Sequence, residues 1–260
     1  MVAMLNSKFG IPMIDEALPE GFPRESFVIL FGEGGTGKTV TLLQVTGERL
    51  KAGMPCVFVT FDDSPASIID NLRRLGFDPD AAFRDDLLHI VDGFSFRSRV
   101  SQKVVESINF VPNPRDRNAL TGSILTAVNS FSEKGTVIID SLTELFTMSE
   151  PSTTIETIKD WRAQFCKSMG LTVFASYHIG VKAIDEFAVM LEYVVDGIVD
   201  FRFDPLFAQQ GVLARQLRVK KMKGTTHDTL WHYFTIDKNG LNPIKSHAKG
   251  SSEDSHKLSK

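Results

Sequence analysis

The sequence has little of what would mark a secreted, membrane-spanning or zinc-rich protein. Cysteine occurs only at Cys56 and Cys166, in no C-x-x-C pair and with no metal-type spacing. That argues against a disulfide scaffold or zinc module and leaves two structural thiols, as in a reducing compartment. Long apolar runs are missing too. None approaches the ~18 residues that a membrane span requires, and Met1–Gly10 lacks the apolar core of a signal peptide. The expectation is a cytoplasmic chain with no membrane partner. Nor does one sign of charge dominate: 29 Lys and Arg face 32 Asp and Glu, a formal net charge of −3. No global pull toward nucleic acid or anionic lipid is therefore expected. Residues 1–244 read as a single domain, long enough to bury a proper core. Residues 245–260 have no aromatic residue and mix Ser, Lys, His and acids, which predicts a disordered tail.

Against this background one stretch stands out. Gly32–Thr39 reads GEGGTGKT and fits the phosphate-loop pattern G-x-x-x-x-G-K-[ST] at every fixed position. The apolar run Phe27–Phe31 before it suits a buried strand, and Val40–Val45 after it can open a helix. In that context Gly32, Glu33, Gly34, Gly35, Thr36, Gly37, Lys38, Thr39 and Val40 form the predicted cradle of a nucleoside triphosphate. The glycines let backbone amides close around phosphate oxygens, and the helix N-terminus adds partial positive charge. Lys38 is expected to reach the β- and γ-phosphates, a catalytic as well as a binding role, and the Thr39 hydroxyl to ligate Mg²⁺.

The rest of the chain alternates. A short helix is expected around Ile14–Leu18, then a helix running from the loop through Leu50, and a strand over Cys56–Phe61. Ser64-Pro65 starts the next helix, with serine as cap and proline in the first turn. Further strands are predicted at Leu87–Val91, Thr136–Asp140 and Leu171–Ser176, with helices over Leu120–Phe131 and Ile155–Met169. Trp161 reads as core. Val104–Ile108 looks helical, but Pro112 and Pro114 leave an irregular loop across residues 95–117. Apolar strands separated by helices imply a parallel sheet covered on both faces. From residue 197 the pattern changes to three strand-like segments, Gly197–Phe203, Val212–Met222 and Leu230–Ile236, with no helix between them. These predict antiparallel strands appended to the sheet edge.

Acidic residues end two of the strands. Asp140 follows four strand residues at the carboxyl end, where open α/β sheets gather their sites. In a phosphate-loop protein such an aspartate holds Mg²⁺. Asp62 and Asp63 end another strand, and a carboxylate there can polarise the water that attacks the γ-phosphate. The same residues suit a helix cap, and adjacent side chains diverge, so at most one should face the nucleotide. Arg215, Arg218, Lys220, Lys221 and Lys223 crowd one strand-like segment. Simple alternation puts Arg215, Lys221 and Lys223 on one face and Arg218 and Lys220 on the other. That pattern also fits a solvated edge strand guarded by charge. His178 ends a strand and is either a phosphate sensor or a hydrogen-bonded rim residue; neither it nor His227 has the partners of a zinc site.

Four ordered stretches carry a family resemblance. Val57–Pro65 reads VFVTFDDSP and resembles the VTFEESP stretch of KaiC-like ATPases in the RecA superfamily. Ile138–Leu142, IIDSL, is similar to that family's VIDSL, and Lys221–Asp228 to its KMRGSxHD hairpin. Gly10–Arg24 resembles the family's opening GIPELDELLGGGIPRG. The likeness covers residues 9 to about 240 and includes the archaeal-type single-domain KaiC and RadA-paralogue proteins. It implies a RecA-like P-loop NTPase core with a mostly parallel sheet and C-terminal antiparallel hairpin strands. It also implies ATP and Mg as ligands, and a homo-oligomer, ring or filament, with nucleotide between subunits. Lys221 and Lys223 match the hairpin positions that reach the neighbouring subunit's γ-phosphate. Two departures matter. Asp62 and Asp63 stand where the family has glutamates, losing roughly 1.5 Å of reach each, and Lys223 replaces a forked arginine with a point charge. Both weaken transition-state stabilisation more than ATP binding.

Three functions follow. The first is a slow Mg-dependent ATPase acting as a regulatory or assembly switch. Autokinase activity of the clock-protein kind is not expected, because Ile179–Phe203 contains no Ser or Thr. The second is a RadA-paralogue recombination accessory protein binding single-stranded DNA. Its loops would be Glu144–Thr154, with no basic residue, and His178–Phe187, with Lys182 against Asp185 and Glu186. Arg97, Arg99, Lys103, Arg115 and Arg117 offer another basic surface. The third is a non-hydrolysing ATP-binding assembly module.

Overall fold

The computed structural model describes residues 6–97, 107–131, 134–180 and 182–244. A small hairpin-like pair, β1 (Asn6–Ser7) and β2 (Phe22–Pro23), flanks helix α1 (Pro12–Ala17). Then come β3 (Phe27–Gly32), α2 (Lys38–Lys51), β4 (Cys56–Thr60), α3 (Pro65–Arg74), α4 (Pro79–Arg84) and β5 (Leu88–Asp92). The middle of the chain supplies β6 (Ile108–Phe110), α5 (Arg117–Asn129), β7 (Thr136–Asp140), α6 (Leu142–Met148) and α7 (Pro151–Trp161). A π-helical segment, Arg162–Ser168, leads to β8 (Thr172–His178) and α8 (Lys182–Val194). The C-terminal part holds β9 (Gly197–Phe203), α9 (Pro205–Ala208), β10 (Arg215–Met222), β11 (His232–Asp237) and β12 (Gly240–Pro243).

Ten strands form one sheet in the order β12-β11-β10-β9-β3-β8-β7-β4-β5-β6. Strands β9 through β6 in that order run parallel, and β10, β11 and β12 are antiparallel. The continuous apolar runs are explained by the two cores. In β3, Phe27, Ile29 and Phe31 enter one cluster with α5 through α8, while Val28 and Leu30 enter the other with α1 through α4. Each such side chain buried contributes about 1.5–3 kcal/mol. Helix α3 starts as expected: the Ser64 hydroxyl accepts from the Ser67 amide at 3.2 Å, with Pro65 at the first helical position. Trp161 is core, and its indole N–H donates to Thr121 Oγ1 at 2.9 Å.

Several boundaries differ from the sequence-based expectation. β9 pairs in parallel with β3, so the antiparallel part begins one strand later, at β10. The two stretches expected as loops are largely helical: α6 and the first turns of α7 take up Glu144–Thr154, and α8 begins at Lys182. The helix expected over Ile155–Met169 begins at Pro151 and becomes π-helical at Arg162. The helix expected at Val104–Ile108 lies mostly outside the described residues, and Ile108 itself opens the edge strand β6. The short α9 interrupts segments expected to be joined only by turns. The predicted alternation along β10 also fails. The register slips between Val219 and Lys221, so Lys220 is an extra residue in a bulge. Lys221 therefore falls on the same side as Arg218 and Lys220, toward α8, and not with Arg215. Its ammonium donates to the Val195 carbonyl at 2.9 Å and to that of Glu192, at the C-terminal end of α8.

Asp196 ties these elements together beneath β3. Its carboxylate accepts from Arg162 Nε at 3.0 Å and from the Phe27 amide at 3.1 Å, with Lys167 at 3.6 Å and Lys223 at 3.7 Å. Burial pushes its pKa up, but the Arg162 and Phe27 hydrogen bonds and the lysine charge outweigh that and hold it below the usual value of 3.8. A depressed carboxylate stabilises the fold above its unfolded-state pKa, and that contribution disappears as pH falls through the folded value. Asp196→Ala should lower the unfolding free energy by about 1–3 kcal/mol, since it leaves the buried Phe27 amide without its acceptor and the partly exposed Arg162 without its partner. Denaturant melts at pH 7 should show that loss, and the gap between variant and wild type should shrink as the medium is acidified below pH 4. An equal gap at all pH values would contradict the assignment.

Candidate nucleotide site

The site is assembled where β3, β4, β7 and β8 end. After β3 the chain turns through Gly35 at φ +77° and Gly37 at φ +112°, then enters α2. The φ of Gly37 is what favours glycine there; a Cβ would also come within 2.8 Å of Ile236 Cδ1, which would have to move. Gly34 has open space around it, Glu33 is exposed, and Thr36 is buried with its hydroxyl donating to the Glu33 carbonyl at 2.7 Å. Lys38 and Thr39 open α2, followed by the half-buried Val40.

Lys38 is 3% exposed. Its ammonium donates to the carbonyls of Gly32 at 2.7 Å and Glu33 at 2.9 Å and lies 3.3 Å from His178 Nδ1. Burial pushes its pKa down to about 8, with the charges of Asp140, Asp62 and Glu33 acting the other way. An ammonium only donates, so His178 meets it with Nδ1 as acceptor, and Nε2 of the same ring lies 3.8 Å from Asp62 Oδ2. The His178 amide is fixed by Thr143 Oγ1 at 2.7 Å.

Asp140 is 2% exposed. Burial raises its pKa and the neighbouring Asp62 adds to the rise, while hydrogen bonds from Ser176 and Thr39 and the charge of His178 oppose it. A buried carboxylate joined to a threonine hydroxyl is a hard-oxygen pair that suits Mg²⁺. Lys38, the loop amides and the left-handed glycines suit a polyphosphate. The residues present therefore fit both ATP and its metal.

The two adjacent acids separate. Asp62 faces His178, and its charge acts on Lys38 and Asp140. Asp63 is not brought to the site: its carboxylate accepts from the Ser64 amide at 2.9 Å and the Ser67 hydroxyl at 2.8 Å, at the start of α3. Of the two acids expected to be catalytic, the structure therefore brings only Asp62 toward the phosphate loop. Lys221 and Lys223 are also remote from this phosphate loop. Arg215, at the other end of β10, donates from Nε to the Gly35 carbonyl at 3.0 Å. Six to eight strand residues at about 3.4 Å each then put Lys221 and Lys223 some 20–27 Å away. His227 keeps to its own turn, with Nδ1 3.5 Å from the Thr225 carbonyl. No cluster of three metal-ligating side chains occurs among the described residues, and no described helix is long and apolar enough to cross a membrane.

Sequence reasoning missed Ser176 and Arg215. A serine closing an otherwise apolar strand was the available signal for the first. Arg215 stands out in the sequence only as a member of the basic run, since its partner lies 180 residues away.

Fold and site together define a phosphate-loop nucleotide-binding protein. A family model described as the KaiC ATPase matches residues 7–248. A UPF0273 protein of Methanopyrus kandleri is 32% identical over 239 residues, covering 89% of each chain. A second, from Methanocaldococcus jannaschii, is 29% identical, covering 92% of this chain and 96% of its own. The circadian clock oscillator protein KaiC of Rippkaea orientalis is 28% identical over 88% of this chain, which spans 42% of that longer protein. Among solved structures, a KaiC-like protein of Pyrococcus horikoshii superposes with a TM-score of 0.73 at 22% identity, covering 93% of this chain and 100% of its own. The chain belongs to the KaiC ATPase family.

The division between the two acids is testable. Asp63→Ala should cost about 1 kcal/mol of stability through the loss of its contacts at the start of α3, and leave the affinity for ATP unchanged. Thermal melts and a nucleotide titration on the same sample check both halves. A large loss of affinity would return Asp63 to the site.

Proposed function

We propose that the chain is a slow, Mg-dependent ATPase that acts as a nucleotide-controlled regulatory or assembly switch in a homo-oligomer. The observation that carries this reading is the convergence of Lys38, Thr39, Asp140 and Asp62 on the phosphate loop. Lys38 and the loop amides bind the phosphates, and Thr39 and Asp140 hold the metal. The ion supplies neutralisation of charge on the phosphoryl oxygens. Asp62, with His178 beside it, is the group that orients the attacking water. Asp62 is short, half-exposed and the only acid of its pair facing the site, which supports slow turnover. The separation of Lys221 and Lys223 from their own loop supports a role across a subunit interface, where each would meet the nucleotide of a neighbouring copy. That interface also accounts for a switch: assembly would depend on the bound nucleotide.

One observation favours the non-hydrolysing variant of this reading. Asp62 is the one acid of its pair that faces the site, 3.8 Å from His178 Nε2, while Asp63 is bound at the start of α3, so the groups available to drive hydrolysis are few. The DNA-binding alternative has no comparable support. Its expected loops are helical, and Arg97 bonds Glu144.

Phosphate release and native mass, with and without Mg–ATP, separate these readings. The expected result is a nucleotide-dependent rise in mass with slow release, and Asp62→Asn should cut release at least about tenfold while keeping the mass change. Assembly without release would favour the non-hydrolysing module. Turnover as brisk as that of a motor ATPase, or a mass indifferent to nucleotide, would sink the proposal.

A further inference from the structure

Among the described residues ten large apolar side chains are exposed, and seven of them fall into two groups. The first is Leu206, Phe207, Val212 and Leu213, on the connection from β9 to β10, with Leu206 70% exposed. Residues 205–214 read PLFAQQGVLA and carry no charge. The stretch is nonetheless firmly built. Asp204 caps α9 by accepting from the Leu206 amide at 2.8 Å, and Tyr233 donates its hydroxyl to the same carboxylate. The Asp204 amide donates to the Ala214 carbonyl at 2.7 Å, and that of Val212 to the Phe207 carbonyl at 3.0 Å. The Phe207 ring meets Tyr233 edge-on. A hook held in this way shows its apolar side chains in one shape, so little further ordering accompanies a contact. The second group is Val189, Met190 and Tyr193, which share one face of α8, with Tyr193 82% exposed. Apolar residues exposed singly need no explanation, but grouped ones mark interaction surfaces.

The two groups sit at opposite ends of the molecule. The hook adjoins the phosphate loop: β9 ends at Phe203, whose ring edge lies 3.8 Å from where a Cβ on Gly35 would sit. The α8 group adjoins the basic end of β10, where Lys221 donates to the Glu192 and Val195 carbonyls on either side of Tyr193. Charge differs in the same sense. Arg202 and Arg215 flank the hook in sequence, whereas Glu186 stands one turn before Met190 on the α8 face. Any arrangement that carries Lys221 and Lys223 of one copy to the nucleotide of another also brings the α8 face of the first toward the hook of the second. We propose that the hook docks on the Val189–Met190–Tyr193 face of a second copy of this chain, head to tail, as the apolar part of the nucleotide-bridged contact. The inference rests on the reading of Lys221 and Lys223 as acting on a neighbour's nucleotide. The two surfaces differ, so each copy offers both, and assembly runs on to a ring or filament without stopping at a dimer. Seven side chains fall well short of the roughly 20–30 residues a side of a standard interface. The apolar contact alone therefore does not hold two copies together, and assembly waits on the nucleotide.

Native mass of the full chain in Mg–ATP tests this on wild type, Leu206→Asp, Tyr193→Asp and an equimolar mixture of the two variants. Wild type should rise beyond a dimer, while each variant alone stays at the mass of one chain with an unchanged melting temperature. The mixture should form dimers and nothing larger, because one variant keeps its α8 face and the other its hook. Should either variant melt early, Leu213→Asp or Val189→Asp takes its place. A variant that reaches the wild-type mass on its own overturns the inference and leaves the nucleotide-bridged oligomer standing. A mixture that stays at the mass of one chain also overturns it, since the two surfaces then do not meet each other. A wild-type mass indifferent to Mg–ATP removes the oligomer reading and this inference with it.

Discussion

Lys38 is almost entirely withdrawn from water, and an ammonium in that position costs several kcal/mol unless it is hydrogen-bonded and faced by opposite charge. Here the Gly32 and Glu33 carbonyls accept from it, and Asp140 and Asp62 supply negative charge. Much of the carboxyl end of the sheet follows from that requirement. The loop must turn back through left-handed glycine so that its carbonyls reach the ammonium. Asp140 must stay buried beside it, which in turn requires hydroxyl donors from Ser176 and Thr39. The central position of β3, flanked by β8 and β9, brings those groups together from segments more than a hundred residues apart.

The same constraint explains how the protein divides its labour. Within one copy of the chain the loop, the Lys38 ammonium, the Thr39–Asp140 pair and Arg215 all gather at one end of the sheet. What the subunit lacks at that end is the basic hairpin, because β10 runs antiparallel to β9 and carries Lys221 and Lys223 to the opposite edge of the molecule. Their positive ends are meanwhile engaged at the C-terminal end of α8 and near Asp196. On the proposed assembly, a nucleotide bridging two copies would compete with those internal contacts.

Much of this was legible in the sequence, and the exceptions have physical causes. Apolar runs such as Thr136–Asp140 can be buried only between two layers of helices, so the central strands were readable to within two residues. The phosphate loop and Asp140 carried signals of spacing and context. The alternation along β10 was misread because a bulge adds one residue without any glycine or proline to announce it. Helix α6 and the start of α8 read as loops because α6 is only seven residues long and the acids Glu144, Asp185 and Glu186 suit a loop equally well. Ser176 and Arg215 escaped because their functional partners are set by tertiary register, which no local pattern reveals. Asp63 was separable from Asp62 only once the contacts at the start of α3 were visible.

The account turns on a site that recognises polyphosphate through buried positive charge and loop amides. The most direct measurement is an equilibrium titration of the unmodified protein with ATP and with AMP, each with and without magnesium. The account predicts saturable ATP binding strengthened by magnesium, with AMP binding at least about a hundredfold weaker, a gap of some 2.7 kcal/mol. Equal affinity for the two nucleotides, or binding of neither, would contradict it.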